Sequence, residues 1–412
     1  MKAECNYAER PFWCLLKEAL YIGTVGYGGP AVLALAKQRL VHEKHIIEEK
    51  DFMDALALSQ VLPGAIGVTL MGRIGYQVKE LWGAILVPAV FALPSLIFIT
   101  ALSWAYFRFG NLPFVKSLFI GLGALVVALL ANASVLIGKS VFGKTIFKDY
   151  KGLLISALTF TGIYIFHFNV LWLTLFSGLL GFLFFYFTGK LEDIPSQQGN
   201  TIMPSRAIGT PATPQRHVKR YIPVVILFFI AGFICLLSPK AVEITNTFLK
   251  IGALGFGGGF TAIPLIKGVV VDQLHWMNDI QFRDGIAMGQ ITPGPVFITA
   301  VFIGYHVAGI IGAFMSALAV FTPSVTAIVL LSKIHSKVRS LKAVRVVIKG
   351  FLSGFFGLLI AVTLQFGFKS LVDWKTWAIF LVALSYLFFL RKDTIWLILG
   401  TIAVSLFLFR LP

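Results

Sequence analysis

The 412-residue chain is 58% hydrophobic and only 13% charged, with a mean hydropathy of +0.86; soluble domains carry about 25% charged residues, so a soluble globular protein is excluded. The net charge of +17 sits mostly in short loops between apolar runs, which is how charge sets membrane topology and not how it builds a nucleic-acid surface. Three cysteines are too few for a disulfide framework, and Cys14 and Cys235, both in apolar segments, are read as packing residues.

The polar opening MKAECNYAERPFW predicts no cleavable signal peptide. A transmembrane helix needs about 20 apolar residues, and such runs occupy 12–30, 52–75, 81–107, 113–138, 152–167 and 169–188. A polar linker, 189–220, follows; its composition cannot bury enough surface to pack. Further runs occupy 221–238, 243–260, 285–305, 307–332, 346–368, 376–390 and 394–409, the last two short. The expectation is an all-α polytopic membrane protein with about 13 transmembrane helices.

The chain repeats itself. GTVGYGG (23–29) aligns with GALGFGG (252–258), and FMDALALSQVLPG (52–64) with FRDGIAMGQITPG (282–294). The pairs GY at 75–76 and 304–305, PS at 94–95 and 323–324, and Gly121 with Gly350 continue the match in the same order. The expected division is a first repeat at 1–188, the linker at 189–220, an intervening helix at 221–242 and a second repeat at 243–412. Seven spans precede the second repeat, an odd number, so it should enter the membrane inverted. Inverted repeats are an architecture of secondary transporters, with the substrate near the midplane between them.

Loop charge predicts a cytoplasmic N-terminus, with Lys139, Lys144, Lys148, Lys151, Arg216, Lys219, Arg220, Lys333, Lys337, Arg339, Lys342 and Arg345 inside. One segment disobeys. Residues 31–51 carry Lys37, Arg39, Lys44 and Lys50 on what this count makes the outer side, together with Glu43, Glu48 and Glu49. An amphipathic hairpin folded back on the membrane is one reading of it.

Pro63–Gly64 and Pro293–Gly294–Pro295 interrupt apolar runs, and backbone freed in this way must line a cavity or pack in protein. Each is read as a broken helix whose second half starts at the proline and turns its unpaired amides inward as an anion site, with a structural kink as the alternative. Gly26, Gly28 and Gly29, with Gly255, Gly257, Gly258 and Gly259, either curl amides around an anion or let helices pack closely. Gln60, Gln290 and Thr292 are candidate side-chain donors. Arg73 and Lys267 are candidate counter-charges, with snorkelling to the interface as the alternative. Asp54 and Asp284 share one motif position and could carry a coupling proton, cap a helix or pair with a base. Seven His and three Cys show no metal spacing, and GFGGGF lacks the ending of a phosphate loop, so no metal, nucleotide or other cofactor is expected.

At these residues the sequence resembles the chromate ion transporter family in its long, two-unit form. GFGGG, DGIAMGQITPGP, FIGYHVAG and FTPS are similar to that family's C-terminal unit, and GYGGP, ALSQVLPG and LPS to its N-terminal unit. The resemblance covers roughly 12–138 and 243–368. It departs where the family pattern places a His after Gly-Gly-Pro, here Leu33, and a second Pro after Pro-Gly, here Ala65. The resemblance implies a multi-pass inner-membrane exporter of chromate coupled to the proton gradient, with sulfate as the chemical look-alike. Its partners would then be a small inorganic oxyanion and membrane lipid, with no nucleic acid; self-association is left open. The rivals are an anion channel, whose flux would follow voltage alone, and a membrane enzyme, for which no nucleophile–base cluster is visible.

Overall fold

The computed structural model describes residues 11–27, 29–143, 149–186, 239–331, 342–390 and 394–409. The expected linker, the expected span at 221–238 and Gly28 lie outside these residues. All regular structure among the described residues is helical, the form in which a segment satisfies its own backbone in lipid. The first half contains α1 (Pro11–Val25), α2 (Gly29–Lys37, extended by a π-helical turn to Glu43), α3 (Glu49–Val61), α4 (Ile66–Phe109), α5 (Pro113–Phe142), α6 (Tyr150–Tyr164) and α7 (Val170–Tyr186). The second contains α8 (Pro239–Leu254), α9 (Gly259–Val270), α10 (Asp279–Ile291), α11 (Thr299–Leu331), α12 (Lys342–Ser370), α13 (Trp374–Ser385) and α14 (Thr394–Leu408). Four stretches among the described residues are long and apolar enough to cross a membrane: Ile66–Phe109, Pro113–Phe142, Val296–Leu331 and Ala343–Ser370. Cys14, expected only to pack, is buried and also disulfide-bonded.

Two of those stretches fold back on themselves. In α4, Lys79 (φ −142°, ψ 37°) and Glu80 (φ 45°, ψ −129°) leave the helix. Gly75 and Gly83 then meet backbone to backbone, and a Cβ on Gly83 would fall 1.8 Å from the Gly75 carbonyl oxygen. In a continuous helix those residues would stand about 12 Å apart along the axis. The chain therefore reverses, giving a short leg (66–78) and a long arm (81–109). In α11 the same event occurs at Ala308 (φ −145°, ψ 29°) and Gly309 (φ 59°, ψ −145°), with Gly304 on Gly312. Gly23 against the Phe91 backbone likewise matches Gly252 against the Val320 backbone.

A second reversal precedes each short leg. Gly285 lies against Phe302, and Gly289 against Thr299, so α10 and the start of α11 run antiparallel. The corresponding first-unit positions, Ala55 and Ser59, are also small and fully buried. The spans expected at 52–75 and 285–305 are therefore not single crossings; each goes in, turns at its Pro-Gly and comes back. α1 and α2 also converge, bringing Arg39 to within 2.9 Å of Glu18. The new helices start past the prolines, at Ile66 and after a 3-10 turn at Val296–Ile298. The reason is conformational: Gly64 (φ 99°) and Gly294 (φ 110°) take left-handed values that no helix continues.

The long arms knit the halves together. Along the first arm, Gly83 touches its own unit's turn, whereas Phe107 stacks on His306 at 4.6 Å and on Phe302 at 5.0 Å, beside the other unit's turn. The two turns thus lie at opposite ends of one helix. Beyond the arms, α12 packs on α6 and α7, while α13 and α14 pack on α5. Small residues let these backbones approach, as at Gly350 on Gly181 and Gly354 on Ser177.

Filling the reversal should be costly. Gly83→Val drives a branched side chain into the Gly75 carbonyl and should destabilise by about 2–3 kcal/mol, seen as a lower melting midpoint in detergent. Gly400, where an added Cβ would meet nothing within 4 Å, should accept alanine with no such loss.

Candidate functional site

The two helix breaks meet the opposite unit. The Gly64 amide donates to the Gly255 carbonyl at 2.7 Å, and the Gly294 amide donates to the Gly26 carbonyl at 2.8 Å. On the other side of the same peptide groups, Ser324 Oγ donates to the Pro63 carbonyl (3.1 Å) and Ser95 Oγ to the Pro293 carbonyl (2.5 Å). The breaks and the glycine clusters, separate motifs in sequence, are thus one interlocked unit. The Gly64 and Gly294 amides, expected to face an anion, are engaged by protein carbonyls in this arrangement.

Beside the interlock lies a cavity of about 220 Å³. Its walls are the start of α4 (Ala65, Ile66, Gly67), the start of α9 (Gly257, Gly258, Gly259, Phe260) and the second break (Gly294, Pro295, Val296). Val32 and Leu33 from α2 and Ala133, Leu136 and Ile137 from α5 close it. First-turn amides of a helix have no partner within it and carry the positive end of its dipole. Two helix starts on one cavity make it electropositive without a charged side chain. Both positions at which the sequence departs from the family pattern, Leu33 and Ala65, line this cavity and give it an apolar face.

The other candidates are dispersed. Gly29 begins α2. Arg73 is half-buried, its guanidinium 5.9 Å from the Tyr76 ring. Lys267 is buried but paired, with Asp272 at 2.7 Å and Asp279 at 3.4 Å. It lines a separate polar cavity of about 800 Å³ together with Lys369 and His275. Thr292 Oγ1 donates to the Met288 carbonyl of its own helix. Asp54 and Gln60 are exposed, whereas Asp284 and Gln290 are buried, and Gln290 Nε2 has no hydrogen-bond partner among the described residues.

Asp284 anchors a network that the sequence did not announce. Arg283 donates to its Oδ1 through Nη2 (2.8 Å) and Nε (3.1 Å), and Tyr106 Oη donates to its Oδ2 at 2.9 Å. Arg283 also donates to Ser370 Oγ at 3.1 Å, and Gly123 leaves room for the guanidinium, which a Cβ there would meet at 2.7 Å. One buried ion pair thus ties α10 to α4, α5 and α12. An Arg beside an Asp near the start of an apolar run reads as interfacial, so no sequence signal placed this pair inside.

The sequence profile of the family described as Chromate transporter matches residues 13–182 and 242–406. A chromate transport protein of Cupriavidus metallidurans is 33% identical over 375 residues, 90% of this chain and 87% of the relative. An uncharacterized transporter of Methanocaldococcus jannaschii is 32% identical over 377 residues, 90% of this chain and 88% of the relative. A probable chromate transport protein of Synechococcus elongatus is 29% identical over 366 residues, 89% and 87% respectively. No solved structure matches the chain.

The buried network sets a ranking of stabilities. Asp284→Asn strands the Arg283 charge and should cost about 3–5 kcal/mol. Tyr106→Phe removes one bond to a charged acceptor, about 1.5–3 kcal/mol. Asp54→Asn, at an exposed site, should stay within about 0.5 kcal/mol. Melting of the three purified variants in one detergent checks the order.

Proposed function

The chain belongs to the chromate transporter family, and from that premise we propose that it is a multi-pass inner-membrane secondary transporter exporting chromate, coupled to the proton gradient. The observation that carries the reading is the cavity at the junction of the two units, walled by the helix break of each and by the glycine cluster of the second. A tetrahedral dianion there would take its hydrogen bonds from the first-turn amides of α4 and α9, in apolar surroundings that strengthen each bond. With Leu33 and Ala65 in the wall, recognition rests on backbone donors. Such donors read charge and shape, so sulfate is the natural competitor.

The two units are proposed to be inverted repeats. The placement of their fold-back turns at opposite ends of the first long arm supports this. With both hairpins of the first unit entering and leaving by one face, residues 31–51 return to the cytoplasmic side with the N-terminus. Lys37, Arg39, Lys44 and Lys50 then obey the positive-inside rule. The corresponding second-unit segment, 261–281, holds Asp272 and Asp279 against a single base, Lys267, which is paired with both, and is proposed to face outward. Of the two motif carboxylates, Asp284 is the better placed for proton coupling, because it is buried and reaches both units through Tyr106 and Arg283.

Everted vesicles with an acidified lumen should accumulate chromate, sulfate should compete, and collapsing the pH gradient should abolish accumulation. Flux that follows voltage alone would make the protein a channel, and uptake of neither anion would overturn the reading. For topology, His45→Cys should resist an impermeant thiol reagent in intact cells, whereas Val372→Cys, on the α12–α13 turn, should react. Labelling of both from one side would remove the inverted arrangement.

A further inference from the structure

Most buried hydroxyls on these helices bond within their own helix: Ser59 to Ala55, Ser103 to Ile99, Ser134 to Leu130 and Ser316 to Ala313. Ser95 and Ser324 do not. Each is fully buried on a long arm, directly after a proline, and reaches across to the break of the other unit. The Pro63–Gly64 peptide group is consequently held at both ends by the second unit, its carbonyl by Ser324 and its N–H by Gly255. The Pro293–Gly294 group is held at both ends by the first unit, through Ser95 and Gly26. The fit is close: a Cβ on Gly64 would lie 1.8 Å from Ser324 Oγ, and one on Gly294 would lie 2.0 Å from Ser95 Oγ.

We infer that Ser95 and Ser324 are positioning residues for transport, a reciprocal pair of latches that hold the tips of the two re-entrant hairpins over the central cavity. Neither hydroxyl is required to touch the anion. Each fixes a peptide group from which a cavity wall continues, Ala65–Gly67 after one break and Pro295–Val296 after the other. Any movement of one unit against the other must open at least one of these clamps. An oxyanion held by the first-turn amides of α4 and α9 would lie against the segments that follow Gly64 and Gly255, the two ends of the first clamp, so its arrival or departure bears on that clamp. This step rests on the oxyanion reading above; the latch itself does not. Because the hairpins approach from opposite ends of the arms, releasing Ser324 frees the first unit's tip and opens the cavity toward the face of the 79–80 turn. Releasing Ser95 opens it toward the face of the 308–309 turn.

The test places a reporter cysteine at Leu33, in the cavity wall, and measures its reaction with an impermeant maleimide in right-side-out and everted vesicles, against the same protein without the reporter. Ser324→Ala should raise labelling from the face of the 79–80 turn, and Ser95→Ala from the opposite face. Each rise should be roughly five- to tenfold, the ratio that one net hydrogen bond supports. Ser103→Ala and Ser316→Ala, which remove equally buried hydroxyls bonded within their own helices, should change neither. Unchanged labelling in both latch variants, a rise on the same face for both, or an equal rise in the controls overturns the inference. If an alanine variant fails to assemble, Ser→Cys at that position keeps the volume with a weaker donor, read as maleimide reaction at Leu33→Cys above that of the same Ser→Cys protein without it. Labelling needs no transported anion, so the latches are tested even in a chain that moves no oxyanion.

Discussion

A helix that breaks inside a bilayer exposes peptide groups in a medium with no water to receive them, and this fold is organised around that difficulty. Each break occurs at a Pro-Gly, where the proline supplies no donor and the glycine adopts a left-handed φ. The freed carbonyl and amide belong to one peptide group, and both find partners on the other unit. Reciprocity follows. Neither half can satisfy its own interruption, so the duplicated units are components of a single packed body. The glycine clusters then have a concrete task, since their carbonyls accept the break amides, while the later residues of the second cluster, Gly257 to Gly259, wall the cavity.

Duplication gave the two units one framework, and the charges have since diverged within it. The turns at 79–80 and 308–309 share dihedrals within about 20° although one holds Glu80 and the other Gly309. At the shared Asp-x5-Gln positions the environments differ completely. Asp284 and Gln290 are enclosed, with Arg283 and Tyr106 on the carboxylate, whereas Asp54 and Gln60 are exposed. Met53 stands where the second unit has Arg283. At these matched positions the symmetric scaffold thus carries the Arg283–Asp284 pair in one unit, where the other has Met53 and an exposed Asp54.

Much of this was legible in the residues. The helical class, the duplication and the position of both breaks follow from composition and from the aligned Pro-Gly, Gly-Tyr and Pro-Ser pairs. The re-entrant hairpins were not legible, because a 24-residue apolar run looks alike whether it crosses or turns back. The trace left in the sequence was the charge of 31–51, which a single crossing at 12–30 sets against the count of the other loops. Lys267 read as a free counter-charge because its partners, Asp272 and Asp279, lie beyond the apolar run that contains it. Ser95 and Ser324 were visible only as a repeated pair, since nothing in a serine's local sequence says which carbonyl it will find. The central cavity was implied by its motifs and became a place only once Leu33, Gly67 and Gly258 stood around it.

The exchange of outer helices has a consequence for how the chain is made. α5 emerges early, yet the face it presents is covered by α13 and α14, which follow far later in the chain, and Ser117 on α5 donates to the carbonyl of Phe409. α6 and α7 wait similarly for α12. Chains usually consolidate domain by domain from the N-terminus as they are translated. Here the small-residue seams of α5, α6 and α7 stay uncovered until helices of the second unit have been made. Assembly is therefore a late closing step, and a first unit made without the second leaves a half-built surface of glycine and serine facing lipid.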